Sequence, residues 1–264
     1  MTDPLLAATG LHKRFGSVVA NAGIDFELRP REVHAVIGPN GGGKTTLLGL
    51  LTGELRPESG TVRICGQDCT YLSVAKRARL GLAKSYQISS VFPGFTVLEN
   101  LAFGLRARNG TSSRFWRPAG LDGDAGDAAA AILRRVGLAG RSSIDAADLS
   151  HGEHRQLEIA IALSTGPKVL LLDEPLAGLG PDESRRMIEL IAGLAGPPAP
   201  IAIVLVEHDM DAVFALSDRV TVLAEGAVVA RGTPREIRDD AKVRESYLGA
   251  DGLGAKASRL HSQP

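Results

Sequence analysis

The nine residues Gly38–Thr46, GPNGGGKTT, constrain this chain more than any other stretch. Glycine, four residues, glycine, lysine and a hydroxyl residue fall in order, with Gly38, Gly43, Lys44 and Thr45 in the fixed places. An apolar run, Val33–Ile37, comes before and another, Leu47–Leu51, comes after. That order predicts strand, loop, helix. Gly41, Gly42 and Gly43 let backbone N–H groups curl around phosphate oxygens with no Cβ in the way. The positive end of the following helix helps hold the anion. In such a loop Lys44 reaches β- and γ-phosphates and the Thr45 hydroxyl ligates Mg²⁺. The plainer reading, a glycine-rich turn with an incidental lysine, does not account for the strand and helix on either side.

The 264 residues are 44% apolar, enough for one large α/β domain or two small ones with a real core. Lysine plus arginine balance aspartate plus glutamate at 30 each, so bulk charge gives no reason to expect a nucleic-acid partner. The two cysteines, Cys65 and Cys69, form a lone C-x₃-C without further metal ligands. They read as incidental, in a chain suited to a reducing compartment. The first residues, MTDPLLAATG, lack a secretory pattern. No apolar run approaches the ~20 residues that span a bilayer.

Val33–Ile37, Val169–Leu172 and Ile201–Val206 are apolar at nearly every position, as parallel strands covered on both faces are. Pro181–Leu194 reads as a helix, with proline early and apolar residues at helical spacing. Segments near 5–9, 18–28 and 61–65 alternate, which predicts an antiparallel sheet. Val220–Leu223 and Ala227–Ala230 flank Ala224-Glu225-Gly226 as a hairpin, and Thr233 caps a helix begun by Pro234. Residues 106–127 are rich in Gly, Ser, Arg and Asp and read as a surface loop before a helix at Ala128–Val136. Asp251–Pro264 reads as a disordered tail.

Val169–Leu172 ends in Asp173 and Glu174, placing two carboxylates in the crevice where α/β folds bind ligands. Asp173 is expected to hold Mg²⁺ through water, and Glu174 to act as general base. Strand alternation would aim them to opposite faces. A second strand ends at Glu207 and His208, the latter placed to orient an attacking water or to be a plain loop residue. Ser150 and Gly152 open a helix and would aim donors at an anion. Ser150 with Glu153 is also a capping box, and both readings stand.

The order and spacing of these pieces resemble the ATP-binding subunit of an ABC transporter, from about Leu5 to Gly249. Four motifs carry the resemblance: GPNGGGKTT, Gln87 in SYQISS, LSHGE and VLLLDEP. His208 falls at the switch histidine. Phe15 falls where the family stacks an aromatic ring on adenine. The resemblance implies a P-loop NTPase (RecA-like) fold: a parallel-sheet α/β core, an N-terminal antiparallel β subdomain and an inserted helical subdomain. The expected parts are 4–88, 89–164 and 165–250. It implies ATP held by Phe15, Gly38, Pro39, Asn40, Gly41, Gly42, Gly43, Lys44, Thr45 and Thr46. Ser150, Gly152 and Glu153 would face the ATP of an opposing copy. Thr45, Gln87 and Asp173 would hold Mg²⁺, and Glu174, His208, Lys44 and Gln87 would serve catalysis.

The implied partners are membrane permeases, gripped by roughly Ser89–Leu105, a second ATPase subunit packed head to tail, and a substrate-binding protein; no nucleic acid is expected. The implied place is the cytoplasmic face of the inner membrane. EHDMDAVF, GTPREIRDD and YLG, with LEIA after LSHG, resemble the branch serving importers of branched-chain or other hydrophobic amino acids, amides or urea. A single-cassette exporter of the lipopolysaccharide type and a soluble ABC-type ATPase are the alternatives. His151 and Glu153 depart from the family's usual LSGGQ, and Gly180 stands where its D-loop often has aspartate. Glu153 is unfavourable beside a nucleotide unless it turns to Arg155 or is protonated.

Overall fold

The structure, a computed structural model, describes residues 3–85, 91–108 and 124–243. The first half of the chain forms β1 (Leu6–Phe15), β2 (Val18–Leu28), β3 (Val33–Ile37), α1 (Lys44–Thr52), β4 (Ser59–Ile64), β5 (Gln67–Asp68), α2 (Val74–Arg79) and β6 (Leu82–Lys84). It continues with α3 (Val97–Arg108), α4 (Asp124–Arg135), α5 (His151–Ser164), β7 (Val169–Asp173) and α6 (Pro181–Ala195). Then come β8 (Ala202–Val206), α7 (Met210–Leu216), β9 (Arg219–Ala224), β10 (Ala227–Gly232) and α8 (Pro234–Asp239).

Among the described residues the strands form two sheets. One is antiparallel, in the order β2-β1-β4-β5. The other runs β10-β9-β3-β8-β7-β6 and is parallel except at β10. The period of two on β7 and β8 decides what each face covers. Leu170, Leu172, Ile203 and Leu205 point into a core shared with α3, α4, α5 and α6. Val169, Leu171, Val204 and Val206 point the other way, into a core shared with α1 and the antiparallel sheet. The parallel sheet is thus the middle layer, which is why its strands are apolar on both faces.

His34 ties the layers together. It lies fully buried on β3, its Nδ1 2.8 Å from the Glu27 carbonyl on β2 and its Nε2 2.8 Å from Thr221 Oγ1 on β9. Its ring stacks on Phe26 at 4.5 Å. Burial pushes its pKa down to about 3, so it is neutral and works as a polar pin. Arg77 is another buried polar anchor. Its guanidinium donates to the carbonyls of Leu50 and Leu51 at 2.6 Å, of Thr70 at 2.7 Å and of Leu72 at 3.3 Å. A cation therefore closes the C-terminal end of α1, where the helix dipole is negative.

The structure corrects three expectations of local order. Residues 106–108 belong to α3, and the next helix begins at Asp124 rather than Ala128. The part of the expected loop at 109–123 lies outside the described residues, as does the expected tail at 251–264. The hairpin between β9 and β10 turns on two residues, Glu225 (φ 50°) and Gly226 (φ 74°), because β9 runs on through Ala224.

Candidate active site

The loop between β3 and α1 is clamped from two sides. A Cβ on Gly38 (φ 147°) would lie 1.9 Å from the Leu223 carbonyl oxygen on β9. One on Gly43 (φ 102°) would lie 2.4 Å from the Ala20 carbonyl oxygen on β2. Only glycine fits either place. Asn21 Nδ2 adds a hydrogen bond to the Gly43 carbonyl at 3.2 Å. The result is a backbone cradle opening onto the N-terminus of α1, which suits an anion. Lys44 is buried in it and donates to the carbonyls of Gly38 at 2.7 Å and Pro39 at 3.0 Å. Burial lowers its pKa, and the carboxylates of Glu174 and Asp173 act against that shift. Asn40, Gly41 and Thr45 are exposed, while Pro39 and Thr46 are half-buried.

Asp173 ends β7. Its pKa is raised, first by burial, and Lys84 opposes the shift. Lys84 Nζ lies 4.0 Å from Asp173 Oδ2 and 3.2 Å from Glu54 Oε2. Glu174 is not the next residue of that strand. Its φ of 50° is left-handed, and its N–H donates to the Val206 carbonyl at 2.8 Å. The opposite-face argument from strand alternation is therefore replaced by a turn that holds a non-glycine residue in a costly conformation. That turn brings Glu174 Oε1 within 2.8 Å of His208 Nε2. Glu207, which sequence reasoning passed over, builds the support. Buried between the two strand ends, it accepts from the N–H groups of Leu176 at 2.7 Å and His208 at 3.1 Å. Burial raises its pKa, against those hydrogen bonds.

Phe15 ends β1, half exposed, with Lys13 Nζ 5.5 Å from its ring centre. Gln87 lies outside the described residues. Within the segment expected to grip a permease, Val91 and Val97 are core, whereas Phe92 and Phe95 are exposed and group with Phe103 at 5.1–5.6 Å.

The segment before α5 forms the full capping box. Ser150 N–H donates to Glu153 Oε2 at 2.9 Å, and Glu153 N–H to Ser150 Oγ at 3.2 Å. Glu153 does not turn to Arg155, which pairs with Glu158 at 3.0 Å. Residues two apart on a helix do not face each other. Its partner is Arg141, at 2.7 Å. Nor is it protonated: the Ser150 N–H first, and then Arg141, hold its carboxyl below the usual range against the effect of burial. A depressed folded pKa adds stability above the unfolded value, and that stability is lost as pH falls through the folded one. Glu153→Gln is expected to cost up to about 1 kcal/mol at neutral pH, with the difference vanishing in acid. Urea midpoints of both proteins at neutral and acid pH check this; a difference independent of pH contradicts it.

These pieces make one chemical arrangement: an anion cradle with a buried lysine, and a carboxylate–histidine pair beside a second carboxylate. It can hold a polyphosphate and move a proton at its end. Residues 22–177 match the family model described as ABC transporter, and residues 227–252 match the one described as branched-chain amino acid ATP-binding cassette transporter. The chain belongs to the ABC transporter ATP-binding family. It is an ABC ATPase and binds ATP. It is 40% identical over 254 residues to the high-affinity branched-chain amino acid transport ATP-binding protein LivG of Salmonella typhimurium, covering 94% of this chain and 99% of LivG. The corresponding protein BraF of Pseudomonas aeruginosa is 37% identical over the same length and shares. A solved ATP-binding cassette of an ABC transporter in its ADP conformation superposes with a TM-score of 0.83 at 29% identity, covering 94% of this chain and all of that one.

Proposed function

We propose that this chain is the ATP-hydrolysing subunit of an importer for branched-chain amino acids or related small polar solutes, working through partner permeases. The observation that carries the reading is the match to LivG along 94% of this chain and 99% of LivG. A soluble ABC-type ATPase or an exporter subunit has no comparable support.

In this reading Gly38–Thr46 wrap the phosphates of ATP and Phe15 stacks on the adenine. The donor chemistry fits Mg²⁺: Thr45 brings a hydroxyl on an exposed residue beside the cradle and Asp173 a carboxylate at the end of β7, while Gln87, outside the described residues, is assigned by resemblance alone. Bound Mg²⁺ would neutralise charge on the β- and γ-phosphate oxygens. Lys44 exchanges its carbonyl partners for phosphate oxygens. Glu174 takes the proton of the attacking water, and His208 holds Glu174 and the γ-phosphate in line. Ser150, Gly152 and the Glu153 cap belong to the site of an opposing copy, packed head to tail.

Divided this way, 4–88 and 165–250 carry the nucleotide and 89–164 the signature. Phe92 and Phe95, exposed and backed by the half-buried Phe103, lie in the latter and suit an apolar permease contact. Among the described residues no helix is long and apolar enough to cross a membrane, so attachment at the cytoplasmic face would come through permeases, with a substrate-binding protein on the far side.

Uptake of labelled leucine, isoleucine and valine tests the assignment. Cells lacking this chain should lose saturable uptake, wild type should restore it, and Glu174→Gln should not. Unchanged uptake in the deletion would overturn the substrate class.

A further inference from the structure

The helix α5 begins with two donors, the Ser150 hydroxyl and the Gly152 N–H, that the proposed head-to-tail arrangement reserves for a γ-phosphate. In this chain both already have an acceptor, and it is the same atom. Glu183 Oε1 lies 3.3 Å from Ser150 Oγ and 3.2 Å from Gly152 N. The fit is close: a Cβ on Gly152 would stand 2.8 Å from that oxygen. The other oxygen, Glu183 Oε2, accepts from the Gly180 N–H at 3.3 Å. Glu183 thus bridges two helix starts, those of α5 and α6, which share one core on the same face of the parallel sheet.

We propose that Glu183 is a positioning residue that occupies the signature's phosphate donors until the γ-phosphate of the opposing copy's ATP displaces it. The proposal rests on the head-to-tail reading above. Its chemistry is anion exchange. A helix N-terminus with a free hydroxyl and free N–H groups prefers a negative ligand, and a side-chain carboxylate is one. The carboxylate is charged: the N–H groups of Gly180 and Gly152 and the Ser150 hydroxyl hold its pKa below the usual range, with the Gly180 bond the largest cause.

Two anions cannot share one pair of donors. An incoming γ-phosphate, with more charge and more acceptor oxygens, wins the exchange and sends Glu183 back to Gly180 alone. ADP lacks the group that competes. The exchange therefore makes closure selective for ATP over ADP, at the cost of a higher ATP requirement. It also carries the event inward. Gly180 caps α6 at the end of the turn Glu174–Gly180, so release of Glu183 from α5 is felt on the segment that begins at the proposed base.

Glu153 shows the contrast. Its carboxylate also sits at the start of α5, but Arg141 holds it aside, and it leaves the Gly152 N–H alone. Glu183 is the acid that stands on the donors.

The test is ATP-driven dimerisation in a Glu174→Gln background, followed by sedimentation. Adding Glu183→Gln keeps the side chain's length and its capping of α6, since glutamine serves in that place too. The ATP concentration at half-dimerisation should fall about tenfold. ADP affinity of the monomer, set by its own cradle, should not move. That measurement also verifies that the variant is folded. An unchanged or raised ATP requirement overturns the proposal. Failure of Glu174→Gln itself to dimerise, seen with Glu183 intact, would instead remove the head-to-tail reading.

Discussion

Glu174→Gln should bind ATP normally and lose turnover by about 10²–10⁴-fold, the span that a positioned general base contributes. The substitution is nearly isosteric. It keeps the side chain's reach toward His208, 2.8 Å away, and keeps the same left-handed backbone. What it removes is the charge that, in the proposed mechanism, accepts a proton from water. Binding should survive because the cradle is built elsewhere, from Gly38 to Thr46, and pinned by Leu223 and Ala20. Lys44 loses one of the two carboxylate charges that favour its protonated form, but its carbonyl contacts to Gly38 and Pro39 remain. Single-turnover phosphate release beside equilibrium ATP binding separates the two effects. Equal loss of binding and turnover would mean that Glu174 supports the nucleotide instead of activating water.

Arg77→Ala should be the most damaging single change to stability, at about 3–5 kcal/mol. Arg77 has no exposed surface, and its guanidinium satisfies four carbonyls from two segments, the end of α1 and the loop at Thr70 and Leu72. Alanine would leave those oxygens without a donor in a dry place and open a cavity. It would also loosen α1 at its C-terminal end, the helix whose other end carries Lys44. Arg77→Lys keeps the charge but cannot fork to four acceptors, so its loss should be smaller. Chemical denaturation of the three proteins checks the order. A wild-type midpoint for Arg77→Ala would show that the carbonyls find other partners.

Both residues bear on how far the chain could be read before its fold was known. The cradle and Asp173 were legible because strand, loop and acid lie within a few residues of one another, where local sterics decide. The buried strands were legible for the same reason: residues apolar at every position need cover on both faces. Glu174 was located, but its orientation was misjudged. Alternation assumes that a strand continues, and β7 stops one residue earlier. The Arg77, Glu183 and Arg141 contacts were not legible. They join residues 27, 31 and 12 positions apart, and no spacing rule reaches across such gaps. The Glu153 partner was misassigned to the nearest basic residue in sequence, although Arg155 lies on the wrong side of the helix.

In the proposed head-to-tail pair each ATP lies between the cradle of one copy and the signature of another. Complementation in a mixture tests it most directly. Lys44→Ala removes the cradle's lysine, and Ser150→Arg blocks the signature, each on a separate preparation of the chain. Alone, both should be inactive in ATP hydrolysis. Mixed in equal amounts, they should form pairs in which the cradle of the Ser150→Arg copy meets the signature of the Lys44→Ala copy. Activity should then return to at most about a quarter of wild type, the share of intact composite sites under random pairing. A mixture as inactive as its components, or a fully active Ser150→Arg protein on its own, would contradict the shared site.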